Sequence, residues 1–257
     1  MVEFVIDDET KMDKINPNGT YKTGMYTAPR PVGYGNVPGA SVFPQGRTIP
    51  RSEWQARIKE MEERKSRLSD ILTAGGVKVK NQQQTNYCWA FGTVTAVEIL
   101  RAVQGQPYVS LSPASIAAPI KKYQNVGGWG EEALRYTIDN GIAPTELWPD
   151  TAIDKTHDNA ASRAQRKFYG ADEWWDLAPK SVDQMVTCLL ERKPVPVGFD
   201  WWGHLVCAVD PVWLNNTIAI RIMNSWGLGW GSKGFGILQG NRMIPGDAVC
   251  PRTVLAS

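Results

Sequence analysis

The chain has 257 residues, 42% of them hydrophobic and 21% charged, with a net charge of only +2. This is the composition of an ordinary globular protein with ample material for a core. The mild charge argues against nucleic acid or an anionic membrane as a partner, and no apolar run is as long as a membrane span.

The N-terminus, Met1 to Glu9, carries acidic residues where a secretory signal needs basic and then long apolar ones. The expected location is therefore the cytoplasm, or a virion if the chain is virus-encoded. After a short strand-like start at Val2 to Ile6, the segment from Pro17 to Pro50 is rich in Pro and Gly, which favours extended, turn-rich chain over packed helices. Residues 1–49 are expected to form an extended arm, either a solvated tail or a segment that binds a protein partner.

Pro50 to Leu72 has a proline in the first turn and apolar Trp54, Ile58, Met61, Leu68 and Leu72 at helical spacing, ahead of Gly75-Gly76. This predicts one amphipathic helix with a linker over 50–76, its apolar face docked on the body of the protein. Residues 77–257 form the remaining unit, entered through an extended stretch from Val77 to Lys80.

A polar loop from Asn81 to Tyr87 then runs into an apolar, helix-favouring segment, Ala90 to Val103, so Cys88 falls at a helix N-terminus. Unpaired backbone N–H groups and the positive end of the helix dipole favour a thiolate there, the form of cysteine that attacks a carbonyl carbon. Short helices are expected from Leu111 and from about Glu131 to Asn140, with Gly127-Gly128-Trp129 between them. Alone, that glycine pair reads equally as an ordinary turn. Asp150 to Ser162 reads as a polar surface loop in which His157 is solvated, and Arg166 to Leu177 as a strand. Ser181-Val182-Asp183-Gln184 is a capping pattern opening a helix through Glu191, and Pro194 to Phe199 is a buried strand.

A thiolate nucleophile needs a base, a group that orients the base, and donors for the oxyanion. Of the chain's two histidines, His204 lies at the start of the strand-like run Leu205 to Val209. Asn224 follows the strand-like run Thr217 to Met223.

With Gln82 six residues before Cys88-Trp89-Ala90-Phe91, then Gly127-Gly128-Trp129, His204, and Asn224-Ser225-Trp226-Gly227, the sequence closely resembles the papain family of cysteine peptidases. The resemblance implies an α+β fold of two lobes, one helical and one an antiparallel β-sheet or barrel, with the active site in the cleft between them. It implies Cys88 as nucleophile, His204 as base, Asn224 as its orienting partner and Gln82 as an oxyanion donor; the spacing selects Gln82 over Gln83 and Gln84. It also implies that Gly127, Gly128 and Trp129 receive an extended substrate strand, that Leu205 lines the pocket for the substrate's second residue, and that Trp226 shields the His204–Asn224 bond.

The departures carry information. Secreted members pair cysteines at the positions of Thr85 and Asn125, and both are missing here, as a reducing compartment allows. Tyr87 and Leu205 stand where small residues are usual, and Leu205 should shrink its pocket. Glu53 and Arg57 fit the first pair of the family's pro-region motif, but nothing further of it follows, so a zymogen is not indicated. The expected function is a thiol peptidase acting on a peptide or protein substrate, without cofactor or metal. The alternatives are a structural or interaction subunit on the same scaffold, which a groove blocked by the arm would favour, or an acyl-transfer enzyme that passes its thioester to an amine.

Overall fold

The computed structural model describes residues 3–27 and 39–255. Among the described residues, eight strands form one sheet in the order β1-β7-β6-β5-β4-β8-β3-β2. They are β1 (Val5–Ile6), β2 (Ala40–Val42), β3 (Ala171–Asp176), β4 (Val195–Phe199), β5 (His204–Leu214), β6 (Thr217–Met223), β7 (Phe235–Gln239) and β8 (Asp247–Val254). The inner pairings are antiparallel, whereas the two outer strands, β1 on β7 and β2 on β3, run parallel to their neighbours. The helices are α1 (Met12–Ile15), α2 (Arg51–Glu63), α3 (Leu68–Ala74), α4 (Cys88–Val103), α5 (Ala114–Ile120), α6 (Gly130–Asn140), α7 (Ala160–Arg166) and α8 (Val182–Leu190).

The fold is the two-lobed α+β arrangement, and α4 is its central rod. Every residue from Cys88 to Arg101 is buried, as expected of a helix apolar on all sides. Along its length it touches both lobes. Trp89, Phe91, Val94 and Val97 pack with α5 and α6, while Ala96 and Ile99 join the core over β4, β5 and α8.

Residues 1–49 are not a loose tail in their described parts. Both outer strands of the sheet come from this segment, and Ile6, Ile15, Met25 and Phe43 are buried. The Phe4 carbonyl accepts Ile237 N–H at 2.9 Å, and Trp230 Nε1 donates to the Ile15 carbonyl at 2.9 Å. The middle of the Pro/Gly-rich stretch, residues 28–38, lies outside the described residues. Beyond it, Arg47 pairs bidentately with Glu191, just past the end of α8, and Ile49 N–H reaches Thr187 Oγ1 within that helix at 3.0 Å.

Two element readings are corrected. The single helix expected over Pro50 to Leu72 is two, α2 and α3, because Lys65 takes a positive φ of 50° and the chain restarts where the Asp70 carboxylate accepts Arg67 N–H. The strand expected from Arg166 begins only at Ala171. Ala160–Arg166, which run from the end of the predicted loop to the first residue of the predicted strand, form α7, capped by Asn159 Oδ1 accepting from Ala161 and Ser162 N–H. His157 is half-buried in a 3₁₀ turn, 3.7 Å from Asp154 and far in sequence from the site below.

Candidate active site

Cys88 is the first residue of α4, with no side chain capping the helix and the Tyr87 carbonyl already accepting Ala90 and Phe91 N–H. The N–H groups of Cys88 and Trp89 are thus left without helical partners. Across the cleft, His204 opens β5 and Asn224 follows the end of β6, which pairs antiparallel with β5. His204 Nε2 lies 2.8 Å from Asn224 Oδ1. The same Oδ1 accepts Ser225 N–H at 2.7 Å, which fixes that atom as oxygen, because a backbone N–H only donates. His204 must therefore donate through Nε2, leaving the Nδ1 lone pair as the basic site; buried Nδ1 has no hydrogen-bond partner.

Gln82 is brought beside this pair by backbone pairing of 80–82 with 225–227. Gln82 N–H donates to the Ser225 carbonyl at 2.8 Å and Gly227 N–H to the Lys80 carbonyl at 3.0 Å. Its amide is oriented by Thr85, whose carbonyl accepts Nε2–H at 2.8 Å, and by Ser225 Oγ, which donates to Oε1 at 2.7 Å. Underneath, Lys80 Nζ is buried 3.2 Å from Glu98 Oε1 of α4 and 3.1 Å from Ser110 Oγ. Burial pushes the Glu98 carboxyl up to about 7, with Lys80 pulling the other way. Asn125 clasps the loop ahead of Cys88: its Oδ1 accepts Asn86 N–H at 2.6 Å and its Nδ2 donates to the Gln84 carbonyl at 3.1 Å.

Aromatic rings close the back of the site. Trp226 lies 4.4 Å from the His204 ring and Trp202 4.8 Å, both centroid distances. Tyr87 does not enter the groove. It is buried in the helical lobe with its hydroxyl donating to the Gln124 carbonyl at 2.8 Å.

What fills the groove is the arm. Tyr21 stacks on Trp226 at 4.7 Å, and the Lys22 carbonyl accepts both Gln82 Nε2–H at 3.1 Å and Trp226 Nε1–H at 3.0 Å. Met25 pairs parallel with Gly128, through Gly128 N–H to the Gly24 carbonyl at 2.9 Å and Tyr26 N–H to the Gly128 carbonyl at 3.2 Å. Tyr26 meets Trp129 edge-to-face. Two glycines make this approach feasible. A Cβ on Gly24 would overlap the backbone carbonyl of Asn86, and one on Gly127 would overlap the Gly24 carbonyl. Leu205 is buried with its methyls against Gly92 and Gly130. Sequence reasoning missed Lys22, Gly24, Met25 and Ser225. The one available signal was a cluster of Tyr21, Met25 and Tyr26 around a glycine in an otherwise polar segment.

Enclosure sets the charge state. Burial pushes the Cys88 thiol up to about 12, partly offset by hydrogen bonding from the backbone of Leu205, Trp89, Gly24 and Met25. Burial likewise brings His204 down to about 4 from its ordinary 6.5, against the opposing pull of Asn224. With the arm seated, the resting pair is neutral thiol and neutral imidazole.

The unfolded chain takes up a proton on His204 below pH 6.5 that the folded chain refuses until about pH 4. Acidification through that window therefore costs stability, on the order of 2–3 kcal/mol. Urea unfolding at pH 7 and pH 4.5 should show the parent losing that much more than His204→Gln.

No group of three or more His, Cys, Asp or Glu side chains that could hold a metal occurs among the described residues. The four cysteines, Cys88, Cys188, Cys207 and Cys250, are all free and buried.

A family model described as papain family cysteine protease matches residues 70–208, more than half of the chain. Cathepsin L 2 of Paramecium tetraurelia is 28% identical over 171 residues, covering 61% of this chain and 53% of that protein. The chain thus spans about half the length of these curated relatives. Among solved structures, digestive procathepsin L 3 of Tenebrio molitor larval midgut superposes with a TM-score of 0.60 at 24% identity, over 68% of this chain and 66% of that one. The bromelain protease of Ananas comosus, solved with the E64 inhibitor, superposes with a TM-score of 0.61 at 22% identity, over 70% and 94%. At these identities the two structures speak for the fold alone.

Proposed function

Because the chain belongs to the papain family of cysteine proteases, we propose that it is a thiol peptidase held latent by its own arm, with Cys88 as nucleophile, His204 as base, Asn224 as orienting residue and Gln82 as oxyanion donor. The observation that carries this reading is the 2.8 Å bond from His204 Nε2 to an Asn224 oxygen, which leaves Nδ1 free to act as the base.

In this mechanism Nδ1 takes the Cys88 proton, giving a thiolate–imidazolium pair, and sulfur attacks the scissile carbonyl carbon. Gln82 Nε2–H and the Cys88 N–H stabilise the oxyanion as it forms. The imidazolium protonates the leaving amine as the C–N bond breaks. Water, deprotonated at Nδ1, then cleaves the thioester, releasing the acid and restoring the thiol. In Gly24→Val protein, where the arm cannot seat, Gln82→Ala should lower kcat about 10²- to 10³-fold with little change in KM, read by steady-state hydrolysis.

The direction of the arm supports latency. It enters beside Trp226 and leaves beside Gly128, so its N-to-C course runs from the His204 side toward the glycine pair. A substrate whose leaving amine departs at His204 has its acyl portion on the glycine side and runs the other way. The arm therefore occupies the groove without presenting a bond in the productive sense.

The filled groove also favours a second reading, a silent scaffold. The four retained groups, Cys88, His204, Asn224 and Gln82, weigh against it, since a permanently plugged scaffold needs none of their chemistry. The discriminating experiment is a peptide library incubated with Gly24→Val protein, in which the arm cannot seat, with and without Cys88→Ala. Cys88-dependent hydrolysis is expected. Products carrying an added amine would mark acyl transfer, and no turnover in either protein would put the scaffold first.

A further inference from the structure

We propose that Gly198 shapes the pocket for the substrate's second residue on the acyl side, and that this pocket selects a long unbranched side chain, methionine above valine or phenylalanine. This rests on the peptidase reading and names the substrate class for it.

The arm supplies the evidence through Met25, whose side chain is only 6% exposed and joins the apolar cluster that includes Leu205, Trp89 and Val249. It lies directly over Gly198. A Cβ there would overlap Met25 Sδ and stand 3.3 Å from Cγ and 3.4 Å from Cε. Gly198 is flanked on both sides, by Leu205 of β5 and Asp247 of β8, in a strand whose other positions are Val195, Pro196, Val197 and Phe199, all buried. A glycine inside an inner strand weakens it and commonly marks close approach of another group. Here the approaching group is a thioether, a flexible chain that fills narrow space without branching.

The pocket used by the arm is the one a substrate would use, although the two strands run in opposite directions. In the parallel pairing Gly128 bonds the residues flanking Met25, so Met25's own N–H and C=O face away; its N–H donates to the Gly203 carbonyl at 3.1 Å. A substrate strand of opposite direction would exchange both bonds between Gly128 and a single residue. A half-turn about the sheet normal relates these two arrangements, and that rotation leaves the side chain on the same face. The substrate residue centred on Gly128 thus enters the space Met25 occupies. Leu205 does not close that space from the opposite wall, because its methyls are taken up beside Gly92 and Gly130.

The test uses binding, so that it does not depend on turnover. Fluorescein-labelled hexapeptides differing only at the second residue before the scissile position, Met, Val or Phe, are titrated by polarisation into Gly24→Val/Cys88→Ala protein, with and without Gly198→Ala. The Met peptide should bind at least tenfold tighter than the other two, and Gly198→Ala should erase the difference while leaving thermal unfolding cooperative. Equal binding of the three peptides, or a Met preference that survives Gly198→Ala, overturns the proposal. The same peptides offered to Gly24→Val protein with Cys88 intact separate the two readings: selective binding without cleavage leaves the pocket standing and sinks the peptidase.

Discussion

Gly24→Val should make Cys88 react with limiting iodoacetamide at pH 6 at least a hundredfold faster than in the parent chain, measured by intact mass. The argument begins with space: the backbone at Gly24 lies against the Asn86 carbonyl, where no side chain fits and no rotamer change can relieve the overlap. The seat of Met25 is lost with it, along with roughly 1.5–3 kcal/mol of apolar burial. Water then reaches Cys88 and His204. Their neutral resting state follows from burial, so solvation removes the penalty on the thiolate–imidazolium pair. Folding should be little affected, since β1, α1 and their contacts with Trp230 and β7 lie upstream of the lesion. Equal, slow labelling in both proteins would mean that the arm does not control the thiol.

In the same Gly24→Val background, His204→Ala should lower kcat for peptide hydrolysis by about 10⁴-fold or more, and Cys88→Ala by a similar factor. The two should not add. A thiol without a base and a base without a thiol are equally unable to start the reaction, so the double variant should be no slower than either single one. Asn224 acts through His204 and belongs to a milder class. A loss of less than tenfold for His204→Ala would remove His204 from the role of base.

Much of the candidate site is legible in the sequence. Thr217–Met223 was legible as a strand from its β-branched and apolar run, and Cys88 as a helix start from the switch between polar loop and apolar helix. The spacing of Gln82, and the positions of His204 and Asn224 at strand ends, were equally plain in the chain. The arm's path was not. Its hydrogen bonds go to Gln82, Gly128, Gly203 and Trp226, partners a hundred or more residues away in most cases, and nothing local in Lys22-Thr23-Gly24 encodes them. The break between α2 and α3 was hidden for a different reason: lysine has no preference for the positive φ that Lys65 adopts, so tertiary packing decides it.

The placement of the arm's first strand at the far edge of the sheet sets a timetable for biosynthesis. β1 has nothing to pair with until β7 exists, and the Asp8 carboxylate waits for Asn241, whose N–H it accepts at 3.0 Å. The last of the four residues of the proposed site, Asn224, is made just before those anchors. At ribosomal speeds the interval between them is about a few seconds. On the proposed peptidase reading, the ribosome thus delivers the guard almost together with the blade, and a newly made chain has scarcely any time to cut its neighbours before it is sheathed.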